Sequence, residues 1–147
     1  MDKKMEDDIF YVCTLIEFIA RSTKNHRKEV ISKFTKEMIE HQIKVAEVNH
    51  CLSLEQVSDE LIDQYGIVNG DFDTVSSCRF NVPTVTEIGK VYQRLVLSVA
   101  DVENVGQTII DVFSSFISDE ISDFNTSVYY SNPDYLRCSY EEGALLA

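Results

Sequence analysis

A chain of 147 residues, 44% hydrophobic with only 5 Gly and 2 Pro, is long enough to bury its own core and too apolar to remain disordered. Its 25 acidic and 13 basic residues leave a formal charge of -12, which argues against non-specific attraction of the whole surface to nucleic acid or to an anionic membrane. The longest apolar run, Ile9 to Ala20, is broken by Thr14 and Glu17 and falls short of the roughly 20 residues that a membrane helix requires.

The run also has the wrong flanks for a secretory leader, since Glu6, Asp7 and Asp8 precede it and Arg21 follows, so a cytoplasmic location is expected. Ile9, Val12, Cys13, Ile16, Ile19 and Ala20 recur at helical spacing, and Phe10, Leu15 and Phe18 fill most of the remaining circumference, which predicts a central helix. Glu17 and Arg21 lie four apart on its narrow polar edge and are expected to pair. Asn25 is expected to cap a short helix through Phe34, and Thr35 another to about Val48. Ser53 to Gln56 reads as a capping box opening a helix with Leu54, Val57, Leu61, Ile62 and Tyr65 on one face, closed by Gly66.

From Gly66 to Pro83 the composition shifts to Gly, Asp, Ser and Asn, predicting an ordered loop at 66–83 with a short extended piece near Val75 to Val82. Thr84 to Glu87 repeats the capping box before a helix bearing Ile88, Val91, Tyr92, Leu95, Val96 and Val99. Asp101 is then expected to cap one long helix from Val102 to Phe124, and Asn132-Pro133 to open a last helix toward Ala144. No internal repeat or linker divides the chain. The expectation is one all-α domain over 1–147, a bundle of about six or seven helices.

Metal-ligand residue types occur at His41, His50 and Cys51, but adjacent His50 and Cys51 cannot easily face one tetrahedral site, and neither paired CxxC nor HxxxH spacing is present. Asp71 and Asp73 resemble the opening of a calcium loop, yet Ser76 and Val82 stand where glycine and a bidentate acid are needed. No metal and no cofactor are expected. Cys51 beside His50 does not make a nucleophile and base, because neighbouring side chains on a helix diverge by about 100 degrees. The four cysteines are scattered, and reduced thiols are expected.

Two surfaces carry more information. Arg21, Lys24, Arg27, Lys28, Lys33 and Lys36 fall within sixteen residues that hold a single acid, Glu29. This local +5 leaves -17 for the remainder, so Arg21, Lys24, Arg27 and Lys28 form a candidate anion-binding corner. Phe34 is the lone aromatic between Phe18 and Tyr65, so the stacking platform that nucleic-acid binding favours is missing. At the other end, Tyr129, Tyr130, Tyr135 and Tyr140 lie within twelve residues, beside Asp134, Glu141 and Glu142. Tyrosine rings bury much area at low entropic cost, so this segment is either a docking surface for a partner protein or a seal on the core.

Phe10 to Ala20 (FYVCTLIEFIA), followed by a Glu29 to Phe34 helix and a Leu52 to Tyr65 helix, resembles a family of small helical bacterial proteins of unknown function that are often encoded beside ADP-ribosyltransferase-like toxin genes. The resemblance covers the first 65 residues and rests on an apolar-Ile-Glu-x-x-Ala pattern. It departs where those proteins show a Leu-His pair and this chain has Asn49-His50-Cys51. It implies a cytosolic bacterial accessory protein, such as an antitoxin or a mobile-element companion, and transfers no catalytic residue. The preferred expectation is therefore an interaction protein, not an enzyme, that docks a partner through the acidic tyrosine-rich surface. The alternative is a small enzyme or ligand-sensing module with a pocket near Glu17 and His50.

Overall fold

The computed structural model describes residues 1–147. Eight α-helices follow one another as α1 (Lys3–Thr23), α2 (Arg27–Ser32), α3 (Lys36–Asn49), α4 (Leu54–Tyr65), α5 (Val85–Val99), α6 (Val105–Ser114), α7 (Phe116–Ser122) and α8 (Pro133–Glu142), with single 3₁₀ turns at Val102–Asn104 and Val128–Tyr130. There is no strand. The count exceeds the expected six or seven because the apolar stripe foreseen as one helix over 102–124 is divided.

The division has a local cause. Ser115 is extended (φ -81, ψ 170), and its hydroxyl donates to the Val112 carbonyl while accepting from the Ile117 amide. A serine that closes one helix and caps the next redirects the chain, while Ile109, Val112, Phe113, Ile117 and Ile121 on both sides remain in the core. Asp101 accordingly caps only the first 3₁₀ turn, through the Asn104 amide. Thr35, Ser53, Thr84 and Asn132 do cap α3, α4, α5 and α8.

Helix α1 is the axis. Its circumference is almost wholly buried from Asp8 to Ala20, and it packs on α5, α3, α4 and α2. Helices α1 and α5 approach tightly at Gly89, where a Cβ would lie 3.0 Å from the Thr14 Cα and collide with the Thr14 hydroxyl. One cluster of 31 buried apolar residues runs from Ile9 to Leu136, so α8 belongs to the same core as α1.

Lys24 ends α1 in the left-handed region (φ 56), which turns the chain sharply. Asn25 is not the cap of α2. That position is His26, whose side chain makes no cap bond, whereas the Asn25 amide donates to the Val68 carbonyl at 2.8 Å. Together with Gly70 N–H to the Thr23 carbonyl and Phe72 N–H to the Lys24 carbonyl, both 2.8 Å, this pins the 66–84 connection to the α1–α2 corner. The connection forms no strand at Val75 to Val82. The Asp73 carboxylate accepts from the Val75 and Ser76 amides and curls residues 74–77 into turns.

Candidate functional site

All four basic-corner residues lie beside acids, but only Arg21 and Arg27 are withdrawn from solvent, whereas Lys24 and Lys28 stay exposed. Glu17 and Arg27 have no exposed surface. Arg27 Nε and Nη2 donate to the two Glu17 oxygens at 2.8 and 2.5 Å, and Arg21 Nε donates to Glu17 Oε2 at 2.7 Å, the pairing expected from their spacing. Arg27 also reaches the Thr74 hydroxyl at 3.3 Å, and the Arg21 guanidinium sits 4.9 Å above the Phe124 ring. Burial pulls the Arg27 pKa down, but the adjacent Glu17 carboxylate more than restores it, so the group stays cationic. Lys28 lies 3.3 Å from Asp119, and Lys24 lies 3.8 Å from Asp73. Composition suggested a free anion grip, whereas Arg27 is a core ion pair and the other three each have a carboxylate neighbour.

Glu17 is sealed and lines no cavity with His50, which borders two surface hollows of about 580 and 240 Å³ beside Phe10. His50 is exposed at the end of α3, its ring 4.5 Å from that of Tyr11. His41 and Cys51 are exposed as well, and no group of three His, Cys, Asp or Glu side chains is arranged to hold a metal ion. No helix is long and apolar enough to cross a membrane.

Above Thr74 lies a cleft of about 760 Å³, walled by the 71–77 loop, His26 and the α7 end at Asp119 to Phe124. His26 stacks on Phe72 with ring centres 3.7 Å apart, and its Nδ1 is 2.8 Å from Asp119 Oδ1. Burial would raise the Asp119 pKa, but His26 and then Lys28 outweigh it and hold the carboxyl below its usual value. The two partners are 93 residues apart, so neither stands out in the sequence.

The tyrosines divide. Tyr135 donates to the Leu146 carbonyl at 2.9 Å, and Tyr140 packs half-buried on the core, its phenol pushed up by burial and then by Asp111. These two seal the C-terminal segment. Tyr129 lies edge-on to both Phe124 (5.8 Å) and Tyr130 (4.9 Å). Partial burial, followed by Tyr130, Cys78 and Glu87, raises its pKa. Tyr130 alone projects, 69% exposed.

Tyr129 and Tyr130 form one wall of a groove of about 240 Å³, with Ser131, Pro133 and Leu136 beside them and Glu87, Val91, Arg94 and Leu95 of α5 opposite. Glu87 and Arg94 are exposed, and neither joins any ion pair of the chain. The expected acidity is offset only in part, by Arg137, which lies 3.7 Å from Asp134 and 3.2 Å from Glu141. The row of aromatics extends beyond the groove. The Cys78 thiol contacts the carbonyls of Phe80 (3.4 Å) and Phe124 (3.9 Å), and Phe80 is 67% exposed.

Comparison with protein-family models, with characterised proteins and with solved structures finds no match for this chain.

Proposed function

We propose that the protein is a docking module that receives a partner protein in the groove between α5 and the Val128–Leu136 segment. The observation that carries this reading is Tyr130. A ring 69% exposed beside an apolar base of Val91, Leu95 and Leu136 is the arrangement of an interface anchor, with a large rigid side chain next to a pocket and polar groups at the rim. The free Glu87 carboxylate and Arg94 guanidinium would set register and orientation. Tyr129 backs the anchor, and Asp134 and Glu141 contribute at the rim with Arg137. That the partner is a toxin, making this an antitoxin-like accessory protein of the bacterial cytoplasm, rests on the resemblance of residues 10–65.

Placing a photo-crosslinking side chain at position 130 in cells tests the reading. A discrete adduct at 130, absent when the same side chain replaces exposed Lys33 on the α2 end, is expected. Equal labelling at both positions, or none at 130, counts against the groove.

A second reading, a small-ligand module, is favoured by the His26–Asp119 pair lining the 760 Å³ cleft, since an oriented imidazole beside an aromatic wall can bind or accept a proton. A fragment screen read by thermal shift would then give saturable hits that His26→Ala removes. Hits indifferent to that change would dismiss it.

A further inference from the structure

We propose that the occupant of the α5 groove is a second copy of this chain, related by a two-fold axis that passes beside Val91. This rests on the reading of the groove as a docking surface and assigns the groove a second copy of the chain in place of the toxin that the resemblance implies.

The order of charges on one helix face points to this occupant. Glu87, Val91 and Arg94 lie at successive turns of α5, with Glu87 and Arg94 about 10.5 Å apart along the axis at 1.5 Å per residue. Lys90, the only other charged residue between them, is drawn off this face, its ammonium 5.6 Å over the Phe10 ring of α1. The exposed face therefore reads acid, apolar, base, and it reads base, apolar, acid in the opposite direction. Laid antiparallel on itself, it sets Val91 against Val91 and each Glu87 against the partner's Arg94. This self-complementarity is what an isologous two-fold contact requires. No other ionised groups of the chain satisfy either residue, as the ion pairs above establish, so the match is not already used internally. Tyr130 projects beside this face on each copy and adds the aromatic area that two exposed ion pairs cannot supply alone. The chain's charge of -12 opposes association at long range, but physiological salt screens it beyond about 8 Å while contacts at the groove persist.

By symmetry one substitution alters both ion pairs. Sedimentation equilibrium at physiological salt is therefore run on the full chain, on Glu87→Arg, on Arg94→Glu, on the double exchange and on an equimolar mixture of the two single variants. Wild type is expected to dimerise with rising concentration. Each single variant should self-associate at least about tenfold more weakly, since like charges then face each other twice. The mixture should dimerise again, because one variant presents two cations and the other two anions, and the double exchange should recover as well. Circular dichroism melts verify that each variant is folded; a variant that is not is replaced by Glu87→Gln or Arg94→Gln, for which a smaller weakening is expected. A wild type that stays monomeric to millimolar concentration, or single variants that associate as wild type does, overturns the proposal. If the wild type is monomeric yet position 130 crosslinks to a different protein, the groove survives as a docking site and the second copy is rejected. If neither occurs, both readings fall.

Discussion

Replacing Glu17 with glutamine keeps the shape of the side chain and removes the charge on which two guanidinium groups converge. Arg27 would be left without its carboxylate in a site with no exposed surface, facing Arg21 across the former Glu17 Oε2 position, where the two donate at 2.5 and 2.7 Å. Removing one partner of a buried pair costs about 3–5 kcal/mol because the other charge stays behind. For a domain of this size that corresponds to a melting temperature lower by roughly 10–15 °C, and it consumes a large part of a typical ~5–15 kcal/mol of stability. Arg27→Met should cost less, since Glu17 keeps Arg21. The double variant Glu17→Gln with Arg27→Met should be more stable than the sum of the two losses by at least about 1 kcal/mol. Urea denaturation of the four proteins measures all three quantities. A Glu17→Gln loss below about 1 kcal/mol, the range of exposed pairs, would refute the claim that this ion pair anchors the α1–α2 corner.

Gly89→Ala forces a methyl against the Thr14 backbone, 3.0 Å from its Cα, and should cost about 1–3 kcal/mol by overpacking; an unchanged melt would show that α1 and α5 separate freely. The Asp119 carboxyl is held below its usual pKa by His26 and Lys28 against the opposing effect of burial. Its contribution to stability is therefore full above the unfolded value of about 4. It is lost as pH falls through the lower folded value, so Asp119→Asn should flatten the acid limb of a stability–pH curve, and a parallel shift at all pH would contradict this. With a thiol reagent, exposed Cys51 should react in the native protein, whereas Cys13, fully buried with its pKa pushed well up, should react only on unfolding. Early labelling of Cys13 would mean that α1 opens.

Helix positions were legible because their signals are local. Thr35, Ser53, Thr84 and Asn132 each bond an amide two or three residues on, and the apolar periods on α1, α4 and α5 stand alone. The break at Ser115 was hidden because the apolar residues on either side continue at helical intervals. The fate of Arg27 was hidden for a different reason: charge counting treats every cation as solvent-facing, and only the left-handed turn at Lys24 swings this one beneath Thr74. Asn25 looked like a cap because asparagine bonds nearby amides, yet its partner at Val68 lies 43 residues away. The tyrosine cluster was visible as composition, but its division was not. Tyr135 and Tyr140 depend on where residues 111 and 146 lie. With Leu136 in the core at 3% exposure and Val128 at 9%, α8 closes the bundle, so truncation after Ser127 should expose the core. Glu87 and Arg94 are ordinary exposed helix residues until the absence of internal partners marks them.

The docking role of the groove is tested most directly at Tyr130, whose side chain can be removed without opening the core. Once the protein crosslinked at that position is known, whether a second copy or another chain, the dissociation constant of wild type and Tyr130→Ala is measured by titration calorimetry or sedimentation. Tyr130→Ala should leave the melting temperature unchanged within about 2 °C and weaken binding about tenfold or more, the loss of an anchor side chain. Binding equal to wild type within about twofold, in a variant equally stable, would contradict the docking role.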